Sequence, residues 1–196
     1  MEKTPLIISF FTKDGLYKEQ AAKLISSCKK LGLDYDICEI EEKKSWNENC
    51  CYKAEFILKK LEEHGRAVIW TDIDSQILNL PKVLVECKAD CALRVNDAVA
   101  IEDPSKILSS TMFFANSASS KKLLMLWQKE CERGLEKNTN TLDQVCLRKV
   151  VLHYPTIVEM KRIPASYLRS IESESEIDLN SDFIVYLQES KEVCLL

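Results

Sequence analysis

Asp72 and Asp74 stand one residue apart at the end of the apolar run "RAVIWT". In an extended chain, residues i and i+2 project to the same side, so both carboxylates aim at one point while Ile73 packs away from it. Two carboxylates that converge at low dielectric repel strongly unless a cation separates them. A hard divalent ion such as Mg²⁺ or Mn²⁺ does so, with waters and a substrate diphosphate completing its shell. The pair also follows a strand, and open α/β sheets bind ligands beyond the carboxyl ends of their strands. The competing reading is an acidic turn with Asp72 capping a helix. Asp-x-Asp alone does not decide between the two. The setting "WTDID", closed by "NLP", favours the metal.

Other uses of the same pair fit less well. A phosphatase of the haloacid-dehalogenase type carries it on the first strand, with Thr or Val where Gln76 stands here. A topoisomerase-primase nuclease domain needs a Glu after the first strand, and "IISFFTKDG" has none. A phosphotransferase or nucleotidyltransferase is disfavoured by the absence of a Gly-rich phosphate loop among only four glycines.

The elements that must hold these residues read as βαβαβ, then a less regular half. "PLIISFFT" (5–12) reads as a strand, and the spacing of Ala21, Leu24, Ile25, Cys28 and Leu31 predicts a helix over 17–31. "YDICEI" (35–40) alternates like a strand. "NCCYKAEFILKKLEEHG" (49–65) reads as a helix ended by His64-Gly65, and "RAVIWT" (66–71) as a strand covered on both faces. Strands are expected at 90–95 and 111–116, and helices at 117–134 and 141–154, the last with Thr141 as N-cap. Trp127 falls on the inward face of the first of these helices. "TIVEMKRIP" and "DFIVYL" read as late strands, and 170–182 as a loop. With no repeat and no composition shift, one α/β domain over 1–196 is the economical reading.

The 196 residues are 46% hydrophobic and 30% charged, with a formal net charge of −4 and no basic block, so a nucleic-acid partner is not expected. No run approaches a transmembrane length, and "LIISFF" reads as a strand rather than a signal peptide. The nine cysteines include no CxxC pair and no zinc spacing. They read as reduced, core-packing thiols, and the expected location is cytoplasmic.

Taken in order, these features resemble the nucleotide-diphospho-sugar transferases of the GT-A glycosyltransferase fold, specifically its small bacterial and viral members. The likeness runs through Phe11, Thr12 and Tyr17; Ser27, Cys28, Gly32 and Leu33; Trp46, Asn49, Cys50 and Lys53; and Asp72, Asp74 and Pro81. It continues through "SSTMFFAN", then Leu123, Leu124 and Trp127, the Asp143-Gln144 pair, and "YLQESK". It spans nearly the whole chain, and its specificity lies in the order rather than in any one motif.

The resemblance implies a Rossmann-like, mainly parallel sheet flanked by helices on both faces. It implies transfer of a sugar from a UDP- or GDP-sugar to a hydroxyl on a glycan or glycolipid precursor, with Mn²⁺ or Mg²⁺ as cofactor. Thr12 and Tyr17 would hold the base and ribose, and Lys53 the diphosphate or base edge. Asp72 would lie near the ribose and share the metal with Asp74, and Asn116 would meet the donor sugar. Gln144, Gln188, Ser190 and Lys191 would complete the donor site. Asp143 would take the proton from the acceptor hydroxyl, unless it merely favours a helix start.

The chain departs from the pattern in three places. Ser110 stands where the family has Gly, and Tyr186 where it has a His that often ligates metal. Lys191 replaces an Arg and brings a point charge without the bidentate fork. These departures motivate the alternative of a catalytically weakened GT-A-fold protein that binds a nucleotide-sugar or a partner.

Overall fold

A computed structural model of the chain describes residues 4–13, 15–137, 140–180 and 183–187. The first half runs β1 (Leu6–Phe11), α1 (Gly15–Lys30), β2 (Tyr35–Glu39), α2 (Trp46–Cys51), α3 (Lys53–His64) and β3 (Val68–Thr71). Next come β4 (Ser75–Ile77), α4 (Lys82–Val85), β5 (Cys91–Val95) and β6 (Ile107–Phe114). Then follow α5 (Ala118–Lys137), α6 (Asp143–His153), β7 (Met160–Arg162), β8 (Leu168–Ile171) and β9 (Ile184–Leu187).

Six strands form the central sheet in the order β2-β1-β3-β6-β5-β7. β1 lies parallel to both β2 and β3, and β7 parallel to β5. β6 alone runs against its neighbours β3 and β5. The expected mixed, mainly parallel α/β sheet is therefore present.

Strand alternation divides the core in two. Leu6, Ile8, Val68, Trp70 and Phe114 face α3, α5 and α6, represented by Ile57, Leu61, Leu124, Trp127 and Leu147. Ile7, Ile69, Ala92 and Phe113 face α1 and α4, through Ala21, Leu24, Cys28 and Leu84. Trp127 is fully buried, as its spacing predicts, and its Nε1 donates to the Asp143 carbonyl at 2.8 Å. Truncating it to Ala would cost about 3–5 kcal/mol. The described cysteines are all free thiols. Among the described residues no helix is long and apolar enough to cross a membrane.

Several boundaries differ from the sequence reading. The helix expected over 49–65 is two helices that meet at Tyr52. The first begins at Trp46 because Ser45 caps it, its hydroxyl accepting from Glu48 N at 3.2 Å. The second ends as expected at Gly65, whose φ of 60° lets its N–H reach the Leu61 carbonyl. Thr141 is not an N-cap: Leu142 precedes α6, and the Thr141 carbonyl instead accepts from Asn47 Nδ2 at 3.2 Å. β6 starts at Ile107 rather than 111, because its early serines are buried or half-buried hydroxyls rather than a loop.

A second sheet, β4-β9-β8, was not foreseen. β4 pairs antiparallel with β9, setting Ser75 opposite Tyr186, and β8 lies parallel to β9. Of its strands, β9 falls within "DFIVYL", which reads as a late strand; β4 and β8, of three and four residues, are too short for periodicity to reveal. β8 ends at Ile171, so the stretch expected as a loop from 170 begins inside a strand.

Candidate functional site

Asp72 and Asp74 are not at the tip of an extended strand. β3 ends at Thr71, and the chain turns at once: Ser75 N donates to the Asp72 carbonyl at 3.1 Å, and the Ser75 hydroxyl bonds the same oxygen. The alternation argument is therefore corrected to a turn argument. The tight turn carries both half-buried carboxylates to the rim of one cavity and buries Ile73 at 8% exposure. The cavity measures about 140 Å³ and lies beyond the carboxyl ends of β1 and β3.

Lys53 is the unexpected centre of the site. It is 5% exposed although it opens α3. Its Nζ lies 2.9 Å from Asp72 Oδ1 and 3.1 Å from Asp143 Oδ2, and donates to the Ser109 carbonyl at 3.3 Å. The ammonium also sits 5.3 Å from the Trp70 ring centroid. Burial alone would discharge it, but Asp143 and then Asp72 outweigh burial and raise its pKa above the ordinary lysine range.

Asp72 shifts in the less usual direction for an ion-paired acid. Burial pushes its pKa up, Lys53 pulls it down, Asp74 and Asp143 push it up again, and it settles at about 6. Trp70 Nε1 donates to its Oδ1 at 3.0 Å, and its own N–H donates to the Ser110 carbonyl at 2.8 Å. Two carboxylates, Asp72 and Asp143, thus share one ammonium, and Asp74 adds repulsion on Asp72. That repulsion is what a divalent cation would relieve, and the hard oxygen donors of Asp72 and Asp74 suit Mg²⁺ or Mn²⁺.

A hydroxyl network supports the turn from behind. Ser9 Oγ donates to the Thr71 carbonyl at 2.7 Å, and Thr71 Oγ1 lies 2.6 Å from Ser75 Oγ and 3.0 Å from Thr111 Oγ1. Thr111 Oγ1 in turn bonds the Tyr186 hydroxyl. Burial raises the Tyr186 pKa above the ordinary phenol range, so at neutral pH it is a neutral hydrogen-bonding strut. The residue in the place of the usual His thus holds the turn through Thr111.

The other expected residues fare differently. Thr12 and Tyr17 line the cavity with Lys53, Asp72 and Asp74. Asp143 is 6% exposed and is joined to the site through Lys53. Gln144 spends its amide on the backbone: Nε2 donates to the Pro104 carbonyl at 2.9 Å, and Oε1 accepts from Ser109 N at 3.3 Å. Asn116 is corrected outright. β6 runs antiparallel to β3, with Thr111 opposite Thr71 and Phe114 opposite Val68, so Asn116 lies past the far end of the sheet. Gln188, Ser190 and Lys191 lie outside the described residues.

Sequence reasoning quoted Trp46, Asn49 and Cys50 without assigning them to the site, yet all three line the cavity. Burial, with Asp143 next, raises the Cys50 thiol well above its ordinary pKa. A larger concavity, about 750 Å³, opens between α5 and α6. It contains none of the expected residues, and its Lys129, Arg133, Arg148 and Lys149 are cations common on solvated helix faces. Convergent carboxylates around a buried lysine mark the smaller cavity instead.

No protein-family profile matches the chain, and no curated protein sequence does. Among solved structures, it is similar to a glycosyltransferase involved in the glycosylation of the major capsid of PBCV-1. The TM-score is 0.68 at 13% identity, over 95% of this chain and 94% of that one. At that identity the likeness shows a shared fold.

Proposed function

We propose that the chain is a metal-dependent glycosyltransferase of the GT-A fold. It moves a sugar from a UDP- or GDP-sugar to a hydroxyl on a glycan or glycolipid precursor. The observation that carries this reading is the turn presenting Asp72 and Asp74 to a cavity beside the buried Lys53. The fold shared with a glycosyltransferase supports it.

Asp72 and Asp74 would hold Mn²⁺ or Mg²⁺, which when bound stabilises the charge developing on the leaving nucleoside diphosphate. Lys53 brings a fixed positive charge toward the same phosphates. Its ammonium is already desolvated and positioned, so little reorganisation accompanies charge transfer. Thr12 and Tyr17 line the side of the cavity assigned to base and ribose.

Asp143 is proposed first as the residue that fixes Lys53. The proton-acceptor role requires the acceptor hydroxyl to reach a carboxylate only 6% exposed. That burial favours a second reading, a relative that binds the nucleotide-sugar and has lost transfer. Donor hydrolysis separates the two. Slow release of UDP or GDP that disappears in Asp74→Ala supports the enzyme, and donor binding without any release supports the second reading. The primary test is titration calorimetry with UDP-, GDP- and dTDP-sugars, with and without Mn²⁺. Metal-dependent binding is expected, weakened about 100-fold or more in Asp74→Ala. Absence of binding across that panel would sink both readings.

A further inference from the structure

Trp46 is the one tryptophan of three with a large exposed surface: 45%, against 2% for Trp70 and 0% for Trp127. A half-exposed indole forfeits apolar burial unless something covers it. This one lines the cavity that holds Asp72, Asp74 and Lys53. The backbone that carries it is anchored at its start. Ser45 caps the helix that Trp46 opens, Glu48 Oε2 accepts from Lys44 N at 3.3 Å, and Asn49 Oδ1 accepts from Lys43 N at 2.9 Å.

The position of the indole narrows what it could meet. Its neighbour Asn47 donates to the Thr141 carbonyl, and Cys51 Sγ lies 3.7 Å from the same oxygen. The short helix is therefore pinned to the turn that leads directly into Asp143. Thr12 and Tyr17, assigned to base and ribose, belong to a different segment, the one following β1. Trp46 thus lines the same cavity as Thr12 and Tyr17, but its helix is anchored to the segment that leads into Asp143.

We propose that Trp46 is a stacking platform for the pyranose ring of the acceptor, so that the acceptor hydroxyl is carried on a saccharide. The C–H groups on one face of a pyranose form an apolar patch with slight positive charge. That patch matches the negative face of an indole. The flat indole tolerates several sugars, so it selects for a ring and leaves the identity of the sugar to polar neighbours. This inference rests on the transferase reading of the same site.

The three-tryptophan composition supplies the readout. Acrylamide quenching of intrinsic fluorescence reports mainly on Trp46, the other two being buried. Free methyl glycosides of glucose, galactose, mannose and N-acetylglucosamine, with lactose and maltose, are titrated against the protein with and without UDP and Mn²⁺. At least one saccharide is expected to shield Trp46 and shift its emission to the blue. Measured by calorimetry, since the variants lack the reporting indole, Trp46→Phe should weaken that saccharide by several-fold and Trp46→Ala by about tenfold or more. The loss for saccharide should exceed the loss for UDP–Mn²⁺ measured by calorimetry. Circular dichroism confirms that each variant is folded.

If UDP shields Trp46 and no saccharide does, the residue walls the donor site and the proposal is overturned, while the transferase reading stands. If the donor binds with metal and nothing in the saccharide panel changes the quenching, the proposal is likewise overturned. If neither donor nor saccharide binds, the transferase reading falls and takes this one with it.

Discussion

Asp36 and Asp72 are both half-buried acids that contact a lysine, yet their pKa values move in opposite directions. Asp36 Oδ2 lies 2.7 Å from Lys60 Nζ and 2.8 Å from His64 Nε2, and Cys38 donates its S–H to Oδ1 at 3.0 Å. Burial pushes Asp36 up, but the hydrogen bonds from Cys38, Lys60 and His64 outweigh it, and the pKa falls to about 2. Asp72 has its own lysine at 2.9 Å and settles at about 6. Burial pushes both acids up, and the side chains are 24% and 33% exposed. What else differs is the balance of donors and acids around each. Lys53 is divided between Asp72 and Asp143, and Asp74 adds a third charge. Around Asp36, Lys60 is likewise shared, with Glu63 at 3.0 Å, but Cys38 and His64 add further donors. Around Asp72, repulsion from Asp74 and Asp143 adds to burial, and a bound cation would relieve it.

The sharpest way to break the comparison is to remove each lysine. Lys53→Met strands two carboxylates at a buried position and should cost about 3–5 kcal/mol in urea denaturation. Lys60→Met should cost about 1 kcal/mol or less, since solvent and His64 still reach Asp36. Equal costs would mean that the two networks are alike after all. Next in size, Asp74→Asn should bring Asp72 down by roughly one pKa unit, worth about 1.4 kcal/mol, as followed by carboxyl ¹³C NMR without metal. An unmoved Asp72 would show that burial alone sets its value.

The pH dependence of stability separates the pair by sign. The folded pKa of Asp36 lies below its unfolded value, so its contribution is present above about pH 4 and lost as pH falls toward 2. After discounting for solvent it is worth about 1 kcal/mol, and Asp36→Asn should flatten that part of the profile. The folded pKa of Asp72 lies above its unfolded value. Its contribution is therefore largest below about pH 4 and is lost as pH rises through about 6. The smallest effect expected is that of Tyr186→Phe. It removes one hydroxyl bond to Thr111, costs about 1 kcal/mol or less, and leaves Mn²⁺ affinity unchanged. A large drop in metal affinity would instead put the phenol at the metal.

Much of this was legible in the sequence because apolar runs and helical spacing are local. β1, β2 and β3, the stripe on α3, and the carboxylates after β3 all follow from neighbouring residues. Strand direction is not local, and this is why Asn116 was misplaced: "TMFFAN" reads the same whether β6 runs with β3 or against it. β9 was legible as "DFIVYL", but β4 and β8, of three and four residues, carry too little pattern, and β4 meets β9 only over a long separation. The burial of Lys53 did leave a signal. It stands four residues before Ile57 and eight before Leu61, on the apolar stripe of its own helix. A lysine on the inward face calls for a buried acid partner. Trp46 also left one, as a large aromatic directly after the capping Ser45.

The hydroxyl chain behind the Asp72–Asp74 turn also bears on the order in which the protein can be made. Thr111 and its partner Tyr186 are 75 positions apart, and β4 receives its antiparallel neighbour only from β9. A ribosome releases the two aspartates long before the strand that braces them. During synthesis the turn must wait, charged and partly uncovered, for a late segment to close over it. Contacts of such long sequence separation form slowly. Assembly of the site is thus coupled to the end of folding, and a nascent chain acquires its paired aspartates before it can hold their turn still.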